Sequence, residues 1–377
     1  FDTVSIYLQN NPDSHFFASK GLILGGSHSP SPLNRNAHCG DLSAVLLQNL
    51  NPLVNLIRVP DKKIILMDEW ESKIKAIVES TWKTDVNSLS GVPSWMLVLI
   101  KAVLQKTGSE YLTDVWPNME VFFHGGISFE PYRDQYKALI PSDRMHYMET
   151  YNASEGFFGL QDNPEEHSLL LMIDYSVFYE FIPINEVGEE HPTVLPLEAV
   201  EVGKNYAMVI TTSGGLWRYQ IGDTVRFTSL YPHKFVISGR TKNYINAFGE
   251  ELMVDNADKA ISSVCRLTGA KVKEYTAAPL FMLDKAKGRH QWMIEFEKMP
   301  PSLDDFAALL DKTLQQLNSD YEAKRYKEIS LQPLEIRVAR EGTFYEWLRR
   351  KGKLGGQHKI PRLSNDRTFI EELEEVL

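Results

Sequence analysis

Residues 119–126 read MEVFFHGG and residues 144–151 read RMHYMETY, and these two stretches decide the fold class. Both are rich in β-branched and aromatic side chains, a composition that predicts β-strands. The segments LLLMIDYSVFYEFIPI, YAMVITTSGG and TVRFTSL have the same character. Several of these strands are apolar on both faces, which is typical of the centre of an α/β sheet. We therefore expect an α/β protein.

Helical spacing lies between these strands and before them. It occurs in residues 41–50, in DEWESKIKAIVESTW (68–82) and in GVPSWMLVLIKAVLQKTG (91–108). The last of these segments has the start and stop signals of a helix that opens near Pro93 and closes at Gly108. KGLILGGS (20–27) predicts a buried strand that runs into a glycine turn.

After FVISGR (235–240) the chain becomes more polar, and a smaller unit begins. We expect a hairpin around Gly249, a helix near 255–268, the strand QWMIEFEKM, a helix capped by Ser302, a strand near 331–339 and a helical C-terminus. This pattern predicts two domains. A large domain covers residues 1–238, and a small α+β domain covers residues 239–377.

Composition excludes several classes of protein. The 377 residues carry a net charge of −10, which argues against nucleic acid as the main partner. Cys39 and Cys265 are far apart, which disfavours a disulfide framework and favours a reducing, cytoplasmic location. WMLVLIKAVL (95–104) is too short to span a membrane and is interrupted by Lys101. The sequence begins abruptly at FDTVSIYL, and we expect further residues of the same protein upstream.

Two short motifs around Asp223 and Arg240 each allow two interpretations. In LWRYQIGDTVRF, Asp223 either caps a tight turn or sits at a strand end, where its two oxygens accept the hydroxyls of a ribose. In ISGRTKNYINAFGEEL, Arg240 and Lys242 are either a solvated basic pair or part of a hinge. In the hinge interpretation Arg240 faces a nucleotide, and the hairpin around Gly249 presents its backbone to a substrate channel.

Three other segments are equally open when each is taken alone. In FFHGGISFEP, Gly125 and Gly126 form an ordinary turn or permit close approach of a flat ring or another backbone. In GGQHKIPRL, Lys359 is a surface lysine, the interpretation favoured in isolation, or a mobile cation that reaches an anionic intermediate. In YNASEGFFGLQD, Glu155 is a solvated turn acid or a charge held for chemistry. The sequence has no GxSxG or HExxH motif, so a hydrolase triad or a zinc enzyme has little support.

The order of these motifs is more specific than any one of them. HGGISF, YNASEG, YQIGD, SGRTKNYINAFGEEL and a late lysine together resemble the adenylate-forming superfamily of acyl-activating enzymes. GDLSAVLL, GVPSWMLVLI, VWPNMEVFFHGGISFEPYR, YNASEGFFGLQD and LWRYQIGD resemble the Gretchen Hagen (auxin-responsive) family of acyl acid–amido synthetases, and the chain is similar to its bacterial branch. The resemblance covers nearly the whole chain.

This resemblance implies an α/β adenylate-forming domain followed by a small mobile α+β domain, with ATP and Mg²⁺ as cofactors. It implies that a small carboxylic acid is adenylated and then transferred to an amine, usually an amino acid. The roles that it implies are adenine binding by Gly125, Gly126 and Tyr151, α-phosphate binding by Ser154, Mg²⁺ binding by Glu155, ribose binding by Asp223 with Arg240 nearby, a hinge at Lys242 and a mobile catalytic lysine at Lys359.

One departure from the family keeps two alternatives open. The family's Ser/Thr/Gly-rich phosphate loop, which ends in a lysine, has no match in these 377 residues. We interpret the sequence as a piece of a longer chain in which that loop lies upstream. The alternatives are an acyl-CoA ligase with a thiol acceptor and a non-catalytic protein that binds a nucleotide or acyl group. The acid, the amine and the oligomeric state are not specified by the sequence.

Overall fold

The computed structural model describes residues 2–26, 28–30, 38–67, 69–126, 129–241, 244–248, 250–281, 288–325, 331–352 and 360–376. The described residues fall into two compact units. The first unit lies within residues 1–175 and includes 232–234, and the second lies within 176–231 and 235–376.

The first unit alternates helices and strands. Its helices in the described ranges are α1 (Asp2–Asn10), α2 (Leu42–Gln48), α3 (Lys62–Ile65), α4 (Trp70–Thr81), α5 (Pro93–Thr107), α6 (Leu112–Val115) and α7 (Arg133–Leu139). Its strands there are β1 (Lys20–Ile23), β2 (His28–Pro30), β3 (His38–Gly40), β4 (Arg58–Val59), β5 (Val86–Gly91), β6 (Val121–Gly125), β7 (His146–Ala153), β8 (Gly156–Leu160) and β9 (Leu169–Leu171).

Seven of these strands form one mixed sheet in the order β9-β8-β7-β6-β5-β1-β4. Strands β4, β1, β5, β6 and β7 are parallel to their neighbours, and β8 and β9 continue the sheet in antiparallel fashion. The β2–β3 pair is separate. The parallel strands carry buried side chains on both faces, as the sequence predicts for a central α/β sheet.

Helices cover both faces of this sheet. On one face Tyr7 of α1 packs in a cluster with Val121 and Met148. On the other, the ring of Tyr136 in α7 stacks on Phe122 at a centroid distance of 5.0 Å. Apolar residues of neighbouring strands therefore face away from water on both sides, which fixes the register of β6 against β7.

The second unit contains two sheets, a hairpin and the C-terminal helices. Its described strands are β10 (Val177–Pro183), β11 (Leu195–Pro196), β12 (Asn205–Thr212), β13 (Tyr219–Leu230), β14 (His233–Arg240), β15 (Tyr244–Ile245), β16 (Leu252–Met253), β17 (Lys271–Phe281), β18 (Gly288–Lys298) and β19 (Glu335–Ala339). Its described helices are α8 (Val254–Thr268), α9 (Leu303–Leu317), α10 (Ser319–Arg325), α11 (Thr343–Arg350) and α12 (Thr368–Glu374).

Within this unit the strands run β11-β10-β12-β13-β14, with antiparallel pairing from β11 to β13. Strand β18 is antiparallel to β17 and parallel to β19. Helices α8 and α9 pack their apolar faces on this second sheet, around a core that includes Ile261, Trp292 and Leu310. The hairpin β15–β16 leads directly into α8.

Most local predictions for these elements are confirmed. Helix α5 begins at Pro93 and ends at Gly108, which adopts the left-handed conformation with φ 72°. Helix α8 and strand β18 lie where the polar C-terminal segment predicts them, and Ser302 caps α9 by accepting the Asp305 N–H. Among the described residues, no helix combines the length and apolarity needed to cross a bilayer.

Candidate active site

The ends of β6 and β7 approach each other closely at Gly125. This glycine is the register partner of Thr150 in the parallel pair. A Cβ atom at Gly125 would lie 2.3 Å from the Thr150 carbonyl oxygen, a distance at which the backbone must shift. Of the interpretations that the sequence allows for this glycine, the structure shows close approach of another backbone.

The predicted magnesium ligand lies in the turn that follows β7. Ser154 and Glu155 connect β7 to β8, and Ala153 pairs with Gly156 across the turn. The serine is exposed, and the glutamate is half-buried. Because β6 and β7 are parallel, this turn and the Gly125–Gly126 segment lie at the same edge of the sheet. Ligands of α/β proteins bind at this carboxyl edge of the strands.

Tyr151 lies three residues before Ser154 and is largely buried, with 6% of its surface exposed. Its ring contacts Phe158 at a centroid distance of 5.1 Å. The β7–β8 register shifts after Tyr151, so that Asn152 pairs with Phe157. This irregularity separates Tyr151 from the turn that carries Glu155.

Two polar residues that the sequence analysis did not single out, His124 and Glu149, lie beside this edge. They are register partners on β6 and β7. Burial, helped by the positive charge of Arg133, lowers the pKa of His124 to about 3. Burial raises the pKa of Glu149 to about 7, although Arg133 opposes this shift and the side chain is only half-buried. The signal for this group was the spacing of residues 147, 149 and 151 on one face of β7.

His124 is packed between aromatic rings. Its imidazole stacks on the ring of Phe129 at a centroid distance of 4.3 Å. The Arg133 guanidinium lies over the same Phe129 ring, 5.0 Å from its centroid. The Nδ1 atom of His124 has no hydrogen-bond partner in the part of the chain that the structure describes. A neutral imidazole is the form that such surroundings favour.

In the second unit, Asp223 and Arg240 form an ion pair, with 2.9 Å between Nε of the arginine and Oδ1 of the aspartate. The aspartate side chain is 17% exposed and the arginine 52%. The backbone N–H of Thr241 donates to the Gly222 carbonyl, which ties the end of β14 to β13. The structure thus brings together the two residues that the sequence predicts around a ribose.

The position of Asp223 differs from both sequence interpretations. It lies neither in a tight turn nor at a strand end, but within β13 (Tyr219–Leu230). Gly222 adopts φ +85°, and the pairing of β13 with β12 shifts register at this point. A glycine in the left-handed region gives a β-bulge, after which the strand continues. The Gly-Asp dipeptide is therefore a bulge signal here rather than a turn signal.

The predicted site residues are divided between the two units. Gly125, Gly126, Tyr151, Ser154 and Glu155 belong to the first unit, and Asp223 and Arg240 belong to the second. Lys242 and Lys359 lie outside the described residues.

The side chains present fit the chemistry of ATP and magnesium. Mg²⁺ commonly takes only one or two protein carboxylates, with its other ligands supplied by water and substrate phosphates. Glu155 provides one such carboxylate next to the exposed hydroxyl of Ser154. Within the described ranges no group of three His, Cys, Asp or Glu side chains could hold a metal ion on its own. One carboxylate beside a hydroxyl suits a metal whose other ligands are water and nucleotide phosphates.

Three family models match the chain. They are the GH3 family N-terminal domain at residues 3–145, the GH3 family central domain at 170–240 and the GH3 family C-terminal domain at 255–368. Together they span nearly all of the chain, in the order that the motifs in the sequence indicate.

Curated relatives of similar sequence include two enzymes of Arabidopsis thaliana. The indole-3-acetic acid-amido synthetase GH3.4 is 30% identical over 318 residues, which are 76% of this chain and 51% of the relative. The 4-substituted benzoates-glutamate ligase GH3.12 is 26% identical over 348 residues, 82% of this chain and 59% of the relative. The chain thus spans about half the length of the curated relatives that it matches.

Solved structures share the fold. The GH3.15 acyl acid amido synthetase has a TM-score of 0.78 at 17% identity, over 99% of this chain and 75% of that one. A 2-hydroxyisobutyryl-CoA ligase in the postadenylation state has a TM-score of 0.60 at 13% identity, over 96% of this chain and 69% of that one. The fold is that of adenylate-forming enzymes, as the sequence predicts.

Proposed function

Because this chain belongs to the GH3 family, we propose that its protein is an acyl acid–amido synthetase that uses ATP to join a carboxylic acid to an amino acid. The observation that carries this proposal is the shared sheet edge in the first unit. Gly125–Gly126 and the Ser154–Glu155 turn lie there at the ends of neighbouring parallel strands. Such an edge is where α/β enzymes bind nucleotides.

The proposed reaction has two steps. In the first, a carboxylate oxygen of the acid attacks the α-phosphorus of ATP, the bond to the β-phosphate bridging oxygen breaks, and pyrophosphate leaves. In the second, the amine nitrogen attacks the acyl carbon, the bond from that carbon to the phosphate oxygen breaks, and AMP leaves. The amine loses one proton as the amide forms. Acid, ATP and amine are thus converted to amide, AMP and pyrophosphate.

Each predicted residue has a task in this scheme. Ser154 donates its hydroxyl to the α-phosphate, and Tyr151 with the Gly125–Gly126 segment borders the adenine. Asp223 accepts the ribose hydroxyls and is oriented by the 2.9 Å contact with Arg240. Magnesium bound by Glu155 and the phosphates would neutralise charge during pyrophosphate release.

The C-terminal residues complete the proposal. We place the boundary of a small mobile domain between residues 238 and 239, with a hinge at Lys242. Lys359 is proposed as the cation that this domain brings to the phosphate in the first step. The two distant cysteines support the proposal of a cytoplasmic location. The assignment to the bacterial branch of the family also stays a prediction.

The relatives suggest the class of substrate. Their names specify indole-3-acetic acid or 4-substituted benzoates as the acid, and glutamate as one amine. We propose a small aromatic carboxylic acid and an amino acid as the substrates of this protein.

The test is ATP–pyrophosphate exchange by the full-length protein with a panel of indole-3-acetate, benzoates and short aliphatic acids. We expect exchange with at least one aromatic acid, and an amide product when amino acids are added. A folded protein that binds ATP but exchanges with no acid would contradict the proposal. Coenzyme A competing with glutamate in the second step separates the alternatives, since a thioester product would identify an acyl-CoA ligase.

A further inference from the structure

A polar cavity lies in the first unit beside strand β4, the last strand in the order of the described sheet. Its volume is about 370 Å³. The residues that line it come from β4 and the segments on either side of it, and they are Asn55, Arg58, Pro60, Asp61, Lys62 and Lys63. All six belong to the described part of the chain, so the cavity can be analysed from its own side chains.

This cavity is distinct from the residues proposed to bind ATP. The sheet order places β4 four strands from β7, which leads into the turn of Glu155. Since neighbouring strands lie about 4.8 Å apart, four spacings correspond to roughly 19 Å. A small molecule in the cavity beside β4 would therefore not occupy the proposed ATP site.

The cavity contains a guanidinium that is almost completely buried. Arg58 is 7% exposed. Its Nε and Nη2 atoms both donate to Oδ1 of Asn55, and its Nη1 atom donates to the Pro60 carbonyl oxygen at 3.1 Å. Because a guanidinium has five N–H groups, these three bonds leave two of them without an acceptor among the described residues.

The two acceptors of Arg58 are neutral, although buried charges in proteins are normally paired with an opposite charge. Burial lowers the pKa of Arg58 from its ordinary value, and only the exposed Asp61 opposes this shift. Arg325 in the second unit shows the usual arrangement. Its side chain is 8% exposed, and it donates to both oxygens of Asp311. Compared with Arg325, Arg58 has room for a negatively charged partner.

Two lysines extend the positive charge of the cavity toward solvent. Lys62 and Lys63 begin helix α3, and both are exposed. The Nζ atom of Lys62 donates to the Gln48 carbonyl oxygen at 3.1 Å, which is again a neutral acceptor. With three cations and one carboxylate, the lining has a net charge of +2, in a chain whose net charge is −10. This local reversal of sign favours an anion.

We propose that the cavity binds a phosphate group, held by the remaining N–H groups of Arg58 and by the ammonium groups of Lys62 and Lys63. Guanidinium groups bind oxyanions through two parallel N–H donors, and lysine adds a point charge. A phosphate ester carries a charge of about −1.5 to −2 near neutral pH, which matches the charge of the lining better than a carboxylate does. The inference does not depend on the proposed function.

The test is calorimetric titration of the full-length protein with inorganic phosphate, AMP and acetate. Lys62→Gln/Lys63→Gln removes two charges at exposed positions and leaves the hydrogen bonds of Arg58 in place. Arg58→Gln removes the buried guanidinium. Lys75→Gln is the matched control, because it removes one charge from an exposed position on α4 of the same unit.

We expect wild type to bind phosphate with a Kd of about 1 mM or lower, and acetate at least about tenfold more weakly. The lysine double variant should weaken phosphate binding at least about tenfold, because charged hydrogen bonds are lost. Lys75→Gln should stay within about twofold of wild type. Arg58→Gln should abolish binding, and the lysine double variant decides the question if Arg58→Gln does not fold.

The AMP titration identifies the source of the phosphate group. It is done in the Asp223→Ala variant, which weakens the proposed ATP site. Competition between AMP and phosphate would identify a phosphate ester as the ligand. Phosphate binding without such competition would identify the free ion. Both results support a phosphate site at Arg58.

Three results would overturn the inference. Equal affinity for acetate and phosphate would mean that the cavity does not select a phosphate group. Equal losses in the lysine double variant and in Lys75→Gln would mean that phosphate responds only to the overall charge. Absence of saturable binding, or binding that Asp223→Ala removes and the lysine double variant retains, would mean that the cavity holds no phosphate. None of these results bears on pyrophosphate exchange, so the proposed function is tested separately.

Discussion

Two glutamates next to glycines in hairpins have opposite environments in this molecule. Glu155 precedes Gly156 in the turn between β7 and β8, and it is half-buried beside an exposed serine. Glu250 follows Gly249 in the hairpin β15–β16, and it is fully buried against His290. Their local sequences, ASEG and FGEE, both read as a turn with an acidic residue.

The difference between them separates two uses of a carboxylate. A side chain with access to solvent can exchange water for a metal or a phosphate-bound ion. A carboxylate whose two oxygens are both occupied inside the protein can only hold its donors in place. We therefore propose chemistry for Glu155, whereas the carboxylate of Glu250 holds the Phe248 N–H and the His290 ring in place. The predictions below test the role of Glu155 and of the sheet edge beside it.

The largest expected effect is on catalysis at the first hairpin. Glu155→Gln removes the charge proposed to hold magnesium, and pyrophosphate exchange should fall about 100-fold, equal to about 2.7 kcal/mol of transition-state stabilisation. The unfolding temperature should stay within about 3 °C of wild type, because the substitution lies in a half-buried turn and keeps the shape of the side chain. Exchange kinetics measured over a range of Mg²⁺ concentrations check this prediction.

A matched control is Glu165→Gln, which removes one negative charge from an exposed position of the same unit. It should change exchange less than about twofold. If Glu155→Gln and Glu165→Gln behave alike, Glu155 is an ordinary turn acid and the contrast with Glu250 fails.

A further variant, Asp223→Ala, should raise KM for ATP about tenfold, because a charged hydrogen-bond acceptor is lost.

The sequence predicted the family better than it predicted the contacts between distant residues. The order of short motifs was enough to place Gly125, Glu155 and Asp223 in one family pattern. Local propensity was also enough for α5 and α8, since each is long and has a clear end at a glycine. These features depend on residues close together in the chain.

The sequence did not predict features that depend on distant residues. His290 is forty residues from Glu250, and nothing in either local sequence indicates their contact. The bulge at Gly222 depends on how β13 pairs with β12, so its dipeptide was interpreted as a turn. His124 and Glu149 meet only because β6 and β7 pair in one register. Tertiary pairing decides each of these cases.

A second prediction concerns how rigid the sheet edge beside Glu155 is. Gly125→Ala places a methyl group 2.3 Å from the Thr150 carbonyl oxygen, and neither strand can move without breaking its pairing. We expect a loss of about 2 kcal/mol in the free energy of unfolding. Gly126→Ala is the neighbouring control. At this position φ +86° costs a residue with a side chain roughly 1 kcal/mol.

Chemical denaturation of both variants measures these costs. Equal losses at the two positions would show that conformation, rather than close approach, explains the glycine pair. A loss at Gly125 that greatly exceeds the loss at Gly126 would show that the close approach of the β6 and β7 backbones requires glycine at position 125.

The smallest expected effect is on the pH dependence of the free energy of unfolding, in which the contributions of His124 and Glu149 oppose each other. Between pH 4.5 and 6.5 the unfolded chain protonates His124 while the folded chain, with a pKa of about 3, does not, so His124 makes stability rise with pH. Over the same range the folded chain keeps the proton of Glu149, with a pKa of about 7, while the unfolded chain loses it. Glu149 therefore makes stability fall with pH, and the two slopes cancel.

Single substitutions should expose each slope, and denaturant unfolding at pH 4.5, 5.5 and 6.5 measures it. Relative to wild type, the stability of Glu149→Gln should rise with pH by up to about 1.4 kcal/mol per unit, and that of His124→Phe should fall by a similar amount. The double variant should run parallel to wild type. If Glu149→Gln shows no slope, the carboxylate on β7 is solvated like a surface acid. The sheet edge that carries Glu155 would then be more accessible to solvent than the burial of His124 implies. This would strengthen the contrast between Glu155 and the fully buried carboxylate of Glu250.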